Sequence, residues 1–192
     1  MALDRRQMVR GAVAAPFVIL GSKAALGGRM KGKGMRYISF RHANGTASYG
    51  RLDGDGVIDL GGVAGAPVDL KAALAAGSLN GLTDGARLSL KVVTLLPVIP
   101  NPGKILCVGL NYATHVAETG REQKEHPAIF TRWADTLIAE GEAMIHPPET
   151  ARFDYEGELA VIIGKGGRRM SKADALNHVA GYSVFNDGSV RD

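Results

Sequence analysis

The chain has 192 residues, 45% of them hydrophobic and 22% charged, with a net charge of +4; that suits about one globular domain with a small appendage. Asp4 against Arg5, Arg6, Arg10 and Lys23 gives the first 28 residues a net +3 and leaves +1 for the rest, so the basic balance belongs to the leader and argues against a nucleic-acid partner. Cys107 is the one cysteine, which excludes an intramolecular disulfide and a thiol-rich metal site.

The leader pairs Arg5 with Arg6 ahead of an uncharged run from Gly11 to Ser22. That run is shorter than the roughly 20 apolar residues of a membrane span but suits the h-region of a signal peptide. Arg5-Arg6-Gln7-Met8-Val9-Arg10 looks like a twin-arginine export signal, so residues 1–28 are expected to be a leader, cleaved around Ala25 to Gly28, and the mature protein to be periplasmic. A disordered basic start in a cytoplasmic protein is the alternative.

Residues 35–60 read as short strands. "MRYISF" and "TASYGRL" flank Asn44-Gly45, a strong hairpin signal, and "DGDGVIDL" gives a second turn before a strand. Asp53 and Asp55 faintly resemble a calcium loop, but the remaining acidic ligands are missing and a plain turn is expected. "DLKAALAA" (residues 69–76) is a short helix ended by Gly77. Pro97, Pro100 and Pro102 then suggest a linker, closing a small N-terminal domain at about residues 35–98.

From residue 103 onward, "KILCVGLNY" reads as a buried strand, "ATHVAETG" as a helical turn ended by Gly120, and "PAIFTRW" and "DTLIAEGEAMIHPP" as strands with irregular connections. "ELAVIIGKGGRRM" is a strand running into a glycine-rich turn. Ser171 with Asp174 approximates a capping box for a helix from Lys172 to Val179, ended by Gly181, and "YSVFND" is the last strand. Strands outnumber helices and no βαβ alternation appears, so the expected class is α+β, predominantly β.

Chemistry concentrates in two places. Asp154, Glu156 and Glu158 alternate along "FDYEGELAVIIGK", so all three point to one face of a strand. That face is either solvated or neutralised by something positive. Glu156 and Glu158 offer hard oxygen donors for Mg²⁺, Mn²⁺ or Ca²⁺, with Asp187, at the end of "YSVFND", the natural third. The opposite face (Tyr155, Leu159, Val161) is apolar and is expected in a core. His115 and Glu118, three apart on a helical turn, have the form of a general-base dyad; a surface salt bridge is the alternative. "GKGG" lacks P-loop spacing, and His42, His126, His146 and His178 show no ligand spacing.

"KILCVGLNYATHVAE", "FDYEGELAVIIGK" and "GYSVFNDGSVRD", in that order, closely resemble the fumarylacetoacetate hydrolase family over residues 103–192, and the hairpin region resembles its small N-terminal domain. The resemblance implies a mixed β-sandwich roll. It also implies Mg²⁺ or Mn²⁺ held by Glu156, Glu158 and Asp187, with His115 and Glu118 as the catalytic pair on a lid, and leaves Asp154 a structural role. It further implies hydrolysis of a carbon–carbon bond in an acylpyruvate or other β-diketo or 2-oxo acid by a homodimer; isomerase, decarboxylase and lyase outcomes suit the same ligands. Arg132 stands where many members carry lysine, and Gly188 and Val190 depart from the usual pattern, glycine loosening the strand after Asp187. The chain stops at Asp192, where the resemblance implies further strands and substrate loops. The expectation is an incomplete roll with the strand ending at Asp187 left as an edge, poorly soluble and inactive. A metal-binding fragment without activity and a periplasmic Ca²⁺-binding domain are the non-enzyme alternatives.

Overall fold

The computed structural model describes residues 8–9, 18–20, 34–82, 85–118, 120, 122 and 125–192. The Arg5-Arg6 signal and the expected cleavage region lie outside the described residues. Two compact units emerge, one formed by Met1–Ile99 with Ile138–Asp192, the other by Pro100–Leu137.

The first unit contains β1 (Met8–Val9), β2 (Val18–Leu20), β3 (Met35–Arg41), β4 (Ala47–Asp53), β5 (Gly56–Asp59), α1 (Leu70–Ala76), β6 (Arg87–Ser89) and β7 (Thr94–Leu95). In the second lie β8 (Ile105–Gly109), α2 (Ala113–Glu118) and β9 (Ala128–Arg132); β10 (Met144–Ile145), β11 (Phe153–Asp154), β12 (Gly157–Ile163), β13 (Val179–Asn186) and β14 (Ser189–Val190) return to the first. The main sheet runs β12-β13-β2-β3-β4-β5-β6, with β7 also pairing β3. Its pairings are antiparallel. The fold is predominantly β, as the composition of strand and turn signals implied.

The core sits in residues 35–99, because β3 is buried on both faces. Tyr37 packs with Tyr49, Leu60, Leu70, Ala73 and Leu79 on one side, while Ile38 and Phe40 pack with Val57 on the other. The β3–β4 hairpin turns where Asn44-Gly45 predicted it: Gly45 takes φ 90°, and the Asn44 side chain accepts from the Thr46 amide at 3.0 Å. Asp69 caps α1 through the Ala72 amide at 2.7 Å, and Gly77, at φ 64°, ends it in the left-handed conformation that glycine adopts without a Cβ penalty. The Asp53–Asp55 turn is no calcium loop. Arg87 binds Asp53 at 3.1 Å and Asp55 at 2.6 Å, and its hydrogen bond holds the Asp55 carboxyl below its ordinary range.

Asp59 is buried beneath this sheet and fully engaged. It accepts from the Ser48 hydroxyl at 2.5 Å and the Gly62 amide at 3.1 Å, and meets His42 Nε2 at 3.2 Å. The carboxylate stands between serine and histidine, so the histidine cannot deprotonate the serine. The cluster anchors the end of β5.

Two expectations for these elements fail. Instead of a helix from Lys172 to Val179, only a single 3₁₀ turn forms, at Ala175–His178, and β13 begins at Val179. The Ser171–Asp174 bonds of the capping box are present, at 2.5 and 3.1 Å, but Gly181 lies buried inside β13 rather than ending a helix. β13 has β12 along one side, and on the other it meets β2 only where Tyr182 pairs with Ile19. And β8, expected to be buried, covers only Cys107. No helix among the described residues is long and apolar enough to cross a membrane.

Gly50 lies where two strands of the core approach closely. A Cβ there would meet the Ile58 carbonyl and lie 2.6 Å from Val57 Cγ2, and the backbone carbonyl cannot rotate away. Gly50→Ala should therefore destabilise the protein by about 1–3 kcal/mol, the usual cost of overpacking. Urea denaturation followed by tyrosine fluorescence measures it; an unchanged midpoint would mean that the β4–β5 contact is looser than described.

Candidate active site

The carboxylates sit on the last long ladder. β12 pairs with β13 from Gly157↔Asn186 onward, and a β-bulge falls near Ile162. Beyond Gly157 the regular ladder lapses, but the Asp187 amide donates to the Glu156 carbonyl at 2.9 Å. β11 and β14 then resume in the same register, with Asp154↔Ser189 and Phe153↔Val190. Arg191 continues it by donating its amide to the Arg152 carbonyl at 3.0 Å. In an antiparallel pair, directly opposed residues share a face and alternate residues return to it. Asp154, Glu156 and Glu158 from one strand therefore share a face with Asp187, Ser189 and Arg191 from the other.

Arg191 is the positive group that contacts the carboxylates of that face. Its Nη2 donates to Glu156 Oε1 at 2.7 Å and lies 3.1 Å from Asp154 Oδ2, while Nε donates to the same Asp154 oxygen at 3.2 Å. Glu156 is further fixed from behind, its amide donating to Asn186 Oδ1 at 3.1 Å. Asp187 is buried, at 3% exposure, and Glu158 is half-buried.

Gly188 faces the end of the Met144 side chain. A side chain there would run into the Met144 thioether and lie 3.4 Å from the Phe153 ring, and Met144 Sδ in turn receives the Asn186 Nδ2 donor at 3.2 Å. Thr150 closes the segment by hydrogen bonding to the Asp192 side chain.

Hard carboxylate oxygens on one half-buried face, with Glu156 and Asp187 joined through the backbone, are the donor chemistry of an oxygen-preferring divalent cation. Arg191 shows that the face takes up positive charge. Among the described residues, however, no three His, Cys, Asp or Glu side chains are gathered closely enough to hold a metal ion. Glu156 is engaged by the guanidinium instead.

The apolar face expected in a core is exposed. Tyr155, Leu159, Val161 and Ile163 are 65, 62, 47 and 60% accessible, and the carboxylate face is the more covered one.

In the Pro100–Leu137 unit, His115 and Glu118 lie on α2, but their side chains fall outside the described part of the molecule. Gly120, at φ 64°, follows α2 and donates its amide to the Ala117 carbonyl at 3.2 Å. Near it, Gly109, Leu110, Asn111, Glu125 and His126 line an open cavity of about 320 Å³, with Leu110 in the left-handed region at φ 55°. Arg132, at the lysine position of the resemblance, ends β9 and stacks its guanidinium 5.6 Å from the Phe130 ring centroid.

Arg191 and Asn186 were missed in the sequence although both lie in the quoted "NDGSVRD" stretch. Counting by twos from Asp187 through Ser189 would have put Arg191 on the carboxylate face.

Comparison with known proteins bears on this segment. Residues 104–192 match the model of the fumarylacetoacetate (FAA) hydrolase C-terminal domain. Over 108 residues the chain is 47% identical to "Oxaloacetate tautomerase YisK" of Bacillus subtilis (strain 168), a match covering 54% of this chain and 36% of that protein. Among solved structures, the fumarylacetoacetate hydrolase of Exiguobacterium antarcticum superposes with a TM-score of 0.64 at 30% identity, covering 82% of this chain and 57% of that one. The 5-carboxymethyl-2-hydroxymuconate delta-isomerase of Mycobacterium smegmatis gives 0.63 at 27% identity, covering 82% and 56%. The matched stretch thus spans about a third of the curated relatives and somewhat over half of the solved neighbours. The fold is of the fumarylacetoacetate hydrolase type.

Asn186→Ala should unfasten the Glu156 amide at a cost of about 1–3 kcal/mol, that of leaving a partly buried donor unsatisfied. Hydrogen exchange reads it directly: the Glu156 amide should lose protection while amides of β3 and β4 keep theirs. Unchanged protection at Glu156 would show that another group holds that donor.

Proposed function

We infer that residues 104–192, the segment matching the fumarylacetoacetate hydrolase C-terminal domain, belong to a divalent-cation-dependent enzyme that interconverts the keto and enol forms of a small 2-oxo acid, with oxaloacetate the first substrate to test. The observation that carries this reading is the backbone bond between Asp187 and Glu156, which sets the first and third carboxylates of the expected ligand set opposite each other. The names of the relatives support this outcome: a tautomerase and an isomerase favour moving a proton over the carbon–carbon hydrolysis expected from the sequence.

A Mg²⁺ or Mn²⁺ ion held by Glu156, Glu158 and Asp187 would supply a Lewis acid and a template for the oxygens of a 2-oxo acid. His115 takes the proton from the carbon beside the oxo group and returns one to oxygen, or runs in reverse. Glu118, one helical turn further on, stabilises the charged imidazole that the transfer creates. No water is consumed and no carbon–carbon bond breaks, so the reaction needs only one group able to hold a proton and a means of spreading the charge left on the substrate. A decarboxylase reading would use the same ligands without a base, and the relatives' names do not favour it.

Two measurements test this. Glu158→Ala should abolish the rise in melting temperature that Mn²⁺ gives the parent chain; equal Mn²⁺ affinity by calorimetry in variant and parent would remove Glu158 from the ligand set. His115→Ala should slow enol-oxaloacetate ketonisation, followed by loss of enol absorbance, by about 10²–10⁴-fold, the usual worth of a general base, with Mn²⁺ affinity unchanged. A rate equal to the parent's would leave His115 without a catalytic part.

A further inference from the structure

We propose that the outward face of β12 and β13, together with the basic turn that follows β12, is a docking surface for an anionic lipid bilayer. Leu159 and Val161 of β12 stand directly opposite Val184 and Tyr182 of β13, so these four share one face, and Ile163 continues it. All five are exposed. They leave roughly 500 Å² of surface open, at the upper end of what one soluble copy shows in a single patch. Glu156 and Glu158 alternate onto the other face of the same run, so no carboxylate stands among the five.

The turn supplies the charge. Lys165, Arg168, Arg169 and Lys172 follow β12 closely and all are exposed. Among the described residues none of the four makes an ion pair, and the nearby Asp174 accepts from the Ser171 hydroxyl instead. The base of the turn is clamped. The Gly164 and Lys165 amides both donate to the His178 carbonyl, at 3.0 and 3.3 Å, and His178 Nδ1 lies 2.8 Å from the Lys165 oxygen. The basic side chains are therefore held at the Ile163 end of the apolar face.

Charge complementarity decides the occupant. A second copy stacked on this face would cover it with the same leucine, valines, isoleucine and tyrosine, and would bring no carboxylate to the four cations. An anionic bilayer offers both an apolar boundary and negative headgroups. Neither contribution suffices alone, because stable attachment to a lipid surface takes an apolar element and a basic patch together. The contact is shallow. β12 ends its sheet, and the backbone groups of an open edge are satisfied only within reach of water or headgroups. Side chains, and not the strand, enter the acyl boundary, a depth that suits the amphipathic ring of Tyr182. Glu156 and Glu158, on the other face, are turned away from the negative surface, which sets the way the sheet lies.

The test is co-sedimentation of the 192-residue chain with vesicles of phosphatidylcholine alone, or of phosphatidylcholine and phosphatidylglycerol in equal parts. The chain should sediment with the mixed vesicles, be released as salt is raised, and stay in solution with phosphatidylcholine. Arg168→Gln combined with Lys172→Gln should weaken binding roughly twentyfold, at about fivefold per basic side chain near an anionic surface. Leu159→Gln combined with Val161→Thr should weaken it about tenfold by removing the apolar contribution. Parent-level binding by either folded variant overturns the proposal, and by both assigns the attachment to the basic leader. Equal binding to the two kinds of vesicle, or binding to neither, overturns it as well. Without vesicles, sedimentation velocity should show no dimer that the Leu159 and Val161 substitutions dissociate; such a dimer gives the face to a second copy and sinks the lipid assignment. Should that variant not fold, the basic variant, changed only at exposed positions, and the salt series decide alone.

Discussion

Like charge crowded onto one strand face is the constraint around which the C-terminal ladder is arranged. Two carboxylates about 5 Å apart repel by about 3 kcal/mol at an effective dielectric constant of about 20, and here Asp154, Glu156, Glu158 and Asp187 share a face. A folded chain tolerates this only if positive charge or hydrogen-bond donors are supplied to the same place. The ladder does so from within: the partner strand that brings Asp187 also brings Arg191, two alternations further on, opposite the start of the acidic run. The charge problem and its counter-charge are thus encoded in one antiparallel register.

The buried carboxylate of the N-terminal region is handled differently. Asp59 has a hydroxyl, an amide and an imidazole around it, a closed set of donors that leaves it with a structural task. The acidic face of β11 and β12 is half-buried and met by a guanidinium that water also reaches. Buried carboxylates with fixed donors hold a fold together, whereas carboxylates with an exchangeable partner can change ligands. That contrast is why the second group, and not the first, carries the functional reading.

Much of the N-terminal region was legible because its signals are local. Asn44-Gly45 dictates a turn and so marks the strands that flank it, and Asp69 and Gly77 bracket a helix. Period two also correctly gathered Asp154 and Glu156 on one side, as their shared contact with Arg191 shows. The sequence was less informative where partners decide. Leu159, Val161 and Ile163 have the composition of a core, but burial depends on what lies across the sheet, and β12 is the outermost strand of its sheet. The capping-box bonds at Ser171 and Asp174 form, yet they nucleate only a turn, because residues from Val179 gain more by pairing with β12. His115 and Glu118 were read from helical spacing, and the structure supplies α2 beneath them without describing the side chains.

The β-bulge near Ile162 has a further consequence for how this segment tolerates change in length. From Gly157↔Asn186 outward to Arg152 and Arg191 the register is kept without a break in step, so gaining or losing one residue there would exchange Glu158 with Leu159 in facing direction and carry Arg191 to the opposite side of the ladder. At the other end, where Ile162 pairs with Gly181 and Ile163 with Val179, the chain already accommodates an unmatched Ala180. Single-residue insertions and deletions should therefore be confined to the bulge and the glycine-rich turn beyond it, while the stretch bearing the carboxylates stays fixed in length.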